Sequence, residues 1–445
     1  MNDSLSVFPK NCLRMVEFGS CWTRRRLWRL MLLCSGLTAG WAFSSWVEAS
    51  EGVLRPDLVV LADPDGSMEP GVRSTLSLAR LLYRYDGVMG DLSLADTESI
   101  DVARMAGRSA KVVFIDAPLA FFSVTFGHEV FGHGARAREQ GLTSSYRFHL
   151  VQPYSSLFGQ HDEFAGEAYW GHPNQVDRDI ALVTGGIEAD YRMAYWIVHD
   201  LMRYGGASYG DLLMYMAARA SYASSFFQPQ KATDERDDVH QYVGLLQTRF
   251  NRWTDTERDS IASRLSTAYG WNWVDPMMIF AIHGLLVDHL GHGRRWSAAP
   301  LPSVGSVHFL PWTSVNASPW GMEHQLDVFM QRDGVVVDVY GRVGSSRLAA
   351  SAGGGVRVSG AKPASFLGWS AHVDGWYQPE TLLSERNVFE RPSTIGGNIG
   401  TETDFSLGSS VGLVLSAAYK TRGYLPARPL ERGLYGYAGL RWTLP

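Results

Sequence analysis

Cysteine is almost missing from this chain: its 445 residues hold 3, Cys12, Cys21 and Cys34, and none follows Cys34. Basic blocks are missing too once the first thirty or so residues are passed, and the formal charge is only −5. That lack argues against nucleic acid as a partner. Apolar residues are not in short supply. At 45% hydrophobic and 19% charged, the chain can build a core and is neither disordered nor collagen-like.

The position of the cysteines acquires meaning from the first fifty residues. Arg24, Arg25, Arg26 and Arg29 form a cationic segment, Leu30–Phe43 is uncharged and apolar, and Val47-Glu48-Ala49 offers a small-x-small cleavage site. Charge, a short apolar core and a small-residue exit make a secretory signal over residues 1–49. The apolar part falls short of the ~20 residues that a membrane-spanning helix needs. The expectation is export to the periplasm or the outer membrane. A retained N-terminal anchor helix is the alternative. Cleavage after Ala49 removes six basic and three acidic residues, which shifts the formal charge from −5 to −8. It also removes every cysteine. Thiolate metal sites and cysteine nucleophiles are thereby excluded, and any metal must be held by His, Asp and Glu.

Two textures follow. Residues 50–300 show apolar positions at three- and four-residue spacing, which predicts a mostly helical domain. Helices are expected from Asp116 to Gln140 with Gly141 as cap, from about Asn174 to Gly205-Gly206, over Asp211–Phe227 and Asp237–Trp253, and over Pro276–Leu290. A short strand is expected over Tyr146–Gln152. Residues 301–445 alternate with period two. In Leu367–Tyr377, Trp369, Ala371 and Val373 point one way, and Ser370, His372 and Asp374 the other. Asp333-Gly334 is a hairpin turn signal. The fold class is therefore α+β, a mostly helical domain followed by an antiparallel all-β domain, either barrel or sandwich. Ten-residue alternating strands rich in Gly, Trp and Tyr are read in outer-membrane barrels and in soluble β-domains alike.

One segment carries chemistry. Gly127–Gly134 reads GHEVFGHG, with His128 and Glu129 adjacent and the next histidine at His133. Two imidazoles on one metal, with a carboxylate beside them, are the parts needed to activate water. The spacing is one residue longer than the common HExxH. On an ideal helix, residues five apart differ by ~140°, too far to share a metal. The segment must hold a π-bulge near Val130–Gly132 or loosen at Gly132.

HEVFGH resembles the HExxGH motif of the dipeptidyl peptidase III family, in which both histidines bind zinc and the glutamate is the catalytic base. The resemblance implies those roles for His128, His133 and Glu129. Gly185-Gly186-Ile187-Glu188-Ala189-Asp190 is similar to the Glu-Ala-Asp motif of CAAX prenyl endopeptidase and HtpX-like gluzincins. There the glutamate ligates zinc and the aspartate supports it, which implies Glu188 as third ligand and Asp190 behind the ligands. Glu163 and Glu167 are competing third ligands.

Glu188, Arg192, Tyr195 and His199 share a helical face, so with Glu188 on zinc Tyr195 and His199 are the candidates to stabilise a developing oxyanion. His283, His289 and His292 read as structural. The leading expectation is an exported zinc metallohydrolase, most plainly a peptidase acting on a peptide or protein. Glu129 would act as general base on water made acidic by Zn2+. The rival is an outer-membrane or envelope structural protein with a non-catalytic helical module. A protein of both kinds would be a membrane-associated metalloprotease.

Overall fold

The computed structural model describes residues 56–89, 102–149, 154, 166–170, 175–227, 238–250, 255–344, 350–379 and 393–443. The export segment and the third-ligand candidate Glu163 lie outside the described residues. From Glu48 to Pro445 the chain forms one compact unit.

The helical part comes first. After β1 (Leu58–Ala62) come α1 (Met68–Met89) and a 38-residue helical stretch α2 (Val102–Glu139). A small hairpin, β2 (Ser144–Phe148) with β3 (Gly166–Trp170), precedes the 29-residue α3 (Val176–Tyr204). Then follow β4 (Gly206–Ser208), α4 (Tyr209–Phe227), α5 (Asp238–Phe250), α6 (Asp255–Gly270) and α7 (Pro276–Gly291). The short β5 (Trp296–Ala298), paired with β4, closes this part.

Helix α3 is the central post. It ends where Gly205 takes the left-handed φ of 72°, which a glycine adopts without strain. Residues all around it are buried, among them Ile180, Ile187, Ala194 and Val198, so no face is left for solvent. One core cluster runs from α1 and α3 through Leu212 and Met214 of α4 to Trp312 and Phe329. A second joins Ile180, Val183 and Ile187 to Val239 and Val243 of α5 and to Leu265 of α6.

Helix α2 does not begin at Asp116, as its Asp-Ala-Pro sequence suggests, but runs through it from Val102. A π-helical turn over Val112–Asp116 ends two residues before Pro118. Such a turn already departs from the i→i−4 ladder that a proline disrupts in a regular helix. Lys111 Nζ closes this irregular turn onto both Asp116 carboxylate oxygens, at 2.7 and 2.9 Å.

The second part is a large antiparallel sheet. Its strands are β6 (Ser303–Val304), β7 (Val307–Ser318), β8 (Gly321–Arg332), β9 (Val335–Gly344), β10 (Ala352–Ala364), β11 (Leu367–Pro379), β12 (Ser393–Ser406), β13 (Val411–Lys420) and β14 (Gly433–Trp442). With β1 they form a 10-stranded sheet in the order β1-β14-β13-β12-β11-β10-β9-β8-β7-β6. The turn between β8 and β9 is Asp333-Gly334, both residues at positive φ, 51° and 79°. These are the angles a two-residue primed turn requires.

The barrel form is a correction. Among the described residues the sheet is open, ending at β1 and β6, and no pairing joins these two edges. The reason lies in the edges. β6 has 2 residues and β1 has 5, too short to seal the length of strands of 10 to 14 residues. Parts of α1 and α3 instead line the hollow of the sheet. The α+β class holds, with helices first and a large antiparallel sheet after them.

Candidate metal centre

The motif segment folds as a π-helical turn over Gly127–His133 inside α2. With i→i+5 bonding, residues five apart lie above one another, so the extra residue of HExxxH returns both histidines to one side. His128 Nε2 and His133 Nε2 are 3.1 Å apart, with the rings edge to face at 79°. Ligand atoms of His128, Glu129 and His133 all lie within 4.8 Å of one another, and Glu129 and His133 are buried.

Backbone contact between α2 and α3 makes this arrangement possible. A Cβ on Gly132 would lie 2.7 Å from Gly185 O and from Gly186 Cα. A Cβ on Gly186 would lie 2.3 Å from His128 Nε2 and 2.7 Å from His133 Nε2. Both helices therefore need glycine here, one for the approach and the other for the space in front of the two nitrogens.

Each imidazole is held from behind. His128 Nδ1 faces Asp190 Oδ2 at 3.1 Å, and His133 Nδ1 faces the Leu182 carbonyl at 2.7 Å. The carbonyl only accepts, so His133 keeps a proton on Nδ1 in either charge state, and its neutral form would offer the Nε2 lone pair to a metal. The carboxylate of Asp190 favours the same tautomer in His128.

A third donor comes from the first residue of α5. Asp238 Oδ2 lies 3.1 Å from His128 Nε2 and 3.4 Å from His133 Nε2. The three atoms thus form a triangle with edges of 3.1, 3.1 and 3.4 Å. Donors of a tetrahedral site with bonds near 2.1 Å are about 3.4 Å apart, so two imidazoles and a carboxylate at this spacing suit a small divalent cation. Sequence reasoning missed Asp238. It sits in the acidic stretch Asp234–Asp238, over a hundred residues beyond the histidines, and no motif spacing marks it.

The electrostatics follow from this packing. Burial works against a charged His128, yet Asp190 and the hydrogen bonds to both aspartates outweigh it and hold its pKa well above the ordinary value. His133 is raised in the same way, burial being overcome chiefly by Asp238. Glu129 is pushed up by burial, against the pull of the two imidazoles.

Glu188, on the same helix as Asp190, lies elsewhere. Its carboxylate is taken up by Arg136, by the Tyr424 hydroxyl and by the Ala427 N–H at 2.9 Å. Glu167 stands in the β2–β3 hairpin, bonded to the Tyr169 hydroxyl and 3.8 Å from His149. His199 contacts Ser359 Oγ at 2.6 Å and lines a separate cavity of about 130 Å³ between α1, α3 and the sheet. Nine residues of helix, ~13 Å, separate it from Asp190. The fold thus brings His128, Glu129, His133 and Asp190 together and leaves Glu188, Glu167 and His199 outside.

Fold and site define an α+β protein with a buried His/Glu/His cluster able to coordinate a metal ion. Comparison with protein-family models, with curated proteins and with solved structures gives no match to this chain.

Proposed function

We propose that the chain is an exported zinc-dependent hydrolase, a metallopeptidase acting on a peptide or protein. One observation carries the proposal: two imidazole Nε2 atoms 3.1 Å apart, that of His133 buried, with the Glu129 carboxylate within 4.8 Å of both. His128, His133 and Asp238 are the proposed zinc ligands, Asp238 taking the place of the downstream glutamate that the motif resemblances imply. Export rests on the charge and apolar pattern of residues 1–49.

A zinc ion there would supply Lewis acidity, polarising a carbonyl and making water acidic near neutral pH. The remaining work belongs to the chain. Asp190 and the Leu182 carbonyl fix the two rings, so that both Nε2 lone pairs face the same point. Glu129 takes the proton of the attacking water and delivers it to the leaving nitrogen, and its raised pKa strengthens it as a base. Strand β3 passes over this carboxylate: a Cβ on Gly166 would lie 2.9 Å from Glu129 Cγ. A substrate extended along β3 would bring its scissile bond past Glu129.

Metal analysis and a peptide-hydrolysis assay on the same preparations test this. Wild type should hold one zinc per chain. Glu129→Gln should keep the zinc and lose about 10²–10⁴-fold in hydrolysis, and His133→Ala should lose the zinc. Wild type without stoichiometric metal, or full activity in Glu129→Gln, would sink the proposal.

A further inference from the structure

The large sheet is inside out. One register row crosses six strands as Val339, Val356, Val373, Ile399, Tyr419 and Leu434, each directly paired with the next. All six are exposed, from 40% for Val339 to 84% for Leu434. Among the residues that alternate with them, the charged ones point inward: Asp338, Asp374 and Lys420 are 1%, 3% and 0% exposed. A soluble sheet with one solvated face places its polar residues outside.

Charge is missing from the whole outer face. Its positions are Val337–Val343 on β9, Ala352–Val358 on β10, Leu367–Tyr377 on β11, Ile395–Phe405 on β12, Val411–Tyr419 on β13 and Leu434–Trp442 on β14, taken alternately. Every one is apolar, glycine or threonine. Eleven residues of strand, Leu367 to Tyr377, reach ~36 Å at most, and six strands at ~4.8 Å spacing cover ~29 Å. Monomers in water rarely expose a continuous apolar surface of that size.

The shape of the sheet decides what covers it. The inner side of β9–β14 encloses the cavity that holds Arg357, His372 and Glu402, so the sheet is concave inward and convex outward. Two copies of a convex, featureless face meet along a line and bury little. A protein partner would find no charge and few hydrogen-bonding side chains for orientation. Acyl chains need neither, and they follow any curvature. The geometry points to a lipid surface: the outer face of β9–β14 lies against the hydrocarbon of a bilayer, and the charged residues of the sheet are sequestered on its inner side.

Flotation of the full-length chain with vesicles of pure phosphatidylcholine tests this. Uncharged lipid removes electrostatic attraction, and 1 M salt should leave binding unchanged. Wild type should float with the vesicles and require detergent to be released. Val373→Lys with Ile399→Lys, two paired outward residues, should shift the protein to the soluble fraction by tenfold or more. The N-terminal apolar segment is intact in that variant and cannot account for the change. Circular dichroism and the thermal midpoint of the same variant report whether the chain still folds, and Val373→Thr with Ile399→Thr, which keeps β-branched residues, is used if it does not. Overturning results are vesicle binding unchanged in a folded variant, or wild type that is monodisperse without detergent, as monomer or dimer.

Discussion

Glu188 and Asp238 are both carboxylates held close to cations, and only one of them faces the histidine pair. Glu188 is 1% exposed and sits in a cage of Arg136, Tyr424 and backbone, whereas Asp238 is half-buried and reaches both Nε2 atoms. Their substitutions should therefore separate cleanly. Asp238→Asn should lower metal affinity at least about 10-fold with little change in stability of the metal-free protein. Glu188→Ala should leave the metal stoichiometry intact and cost about 2–3 kcal/mol, because it removes one of the two carboxylates that balance the buried Arg136 guanidinium, which keeps Glu139 and the Arg428 carbonyl. Titration with zinc and denaturant unfolding of each metal-free variant give the two numbers. Metal loss in Glu188→Ala with retained fold would return Glu188 to the ligand set. Sequence alone selects Glu188, since a glutamate next to Ala-Asp on a helix has a familiar spacing. It offers no such cue for Asp238, whose role exists only because α5 packs its first turn against α2 and α3.

Irregular helices are what this chain uses to place polar groups inside an apolar bundle. π-helical turns occur at Val112–Asp116, Gly127–His133 and Gly284–Gly291, and each holds a buried ionisable residue. In the last of these, His289 stacks on Tyr209 with ring centroids 3.9 Å apart and planes within 3°, and its Nδ1 donates to the Arg294 carbonyl at 3.1 Å. Burial lowers its pKa to about 4, aided by Lys111 and Arg108 nearby. A histidine held neutral in the fold and titrating near 6.5 when unfolded takes up its proton first in the unfolded state. Its contribution is present in full above pH 6.5 and is lost as pH falls from about 6.5 towards 4. His289→Phe keeps the stack and removes the titration. Wild type should lose on the order of 2–3 kcal/mol more than the variant between pH 7 and 4, measured by urea unfolding. Parallel stability profiles would contradict the assignment. Much at this scale is legible in sequence. The odd spacing of His128 and His133 demands the π-turn, Gly205 marks the end of α3, and Asp333-Gly334 marks a hairpin. The run-on of α2 through Asp116 was not legible, because an N-cap signal and a π-turn before proline look alike without the partners of Lys111.

Across the whole molecule, the period-two alternation after residue 300 separates two faces for each strand, and on β9–β14 the structure turns the apolar face outward and keeps the charged side chains on the other. Which face turns inward is a property of what fills the hollow of the sheet. Here α1 brings Arg73 into it to meet Glu402 of β12, and α3 brings the Tyr195 hydroxyl to Asp338 of β9, whereas Arg80 and Arg192 are met by carboxylates of the helices themselves. Polar side chains of the sheet are drawn inward to these helix groups, and no local pattern announces that. The candidate metal centre is similarly non-local, because its side chains come from α2, α3 and α5. An ion bound by His128, His133 and Asp238 ties α2 to α5 across Gly186, so it binds the folded state and has no preformed site in the unfolded chain. At free zinc a hundredfold above its dissociation constant, the linkage is worth ~2.7 kcal/mol. Chelation should accordingly lower the thermal midpoint by several degrees, and added zinc should restore it. His133→Ala should melt at one temperature with or without chelator, which separates loss of the ion from any direct effect of the chelator. The same measurement on Asp190→Asn should show an intermediate shift, since that residue orients His128 without reaching the ion itself. A wild-type midpoint unmoved by chelator and by zinc would mean that these three helices are held by packing alone, and that His128 and His133 are a buried hydrogen-bonded pair.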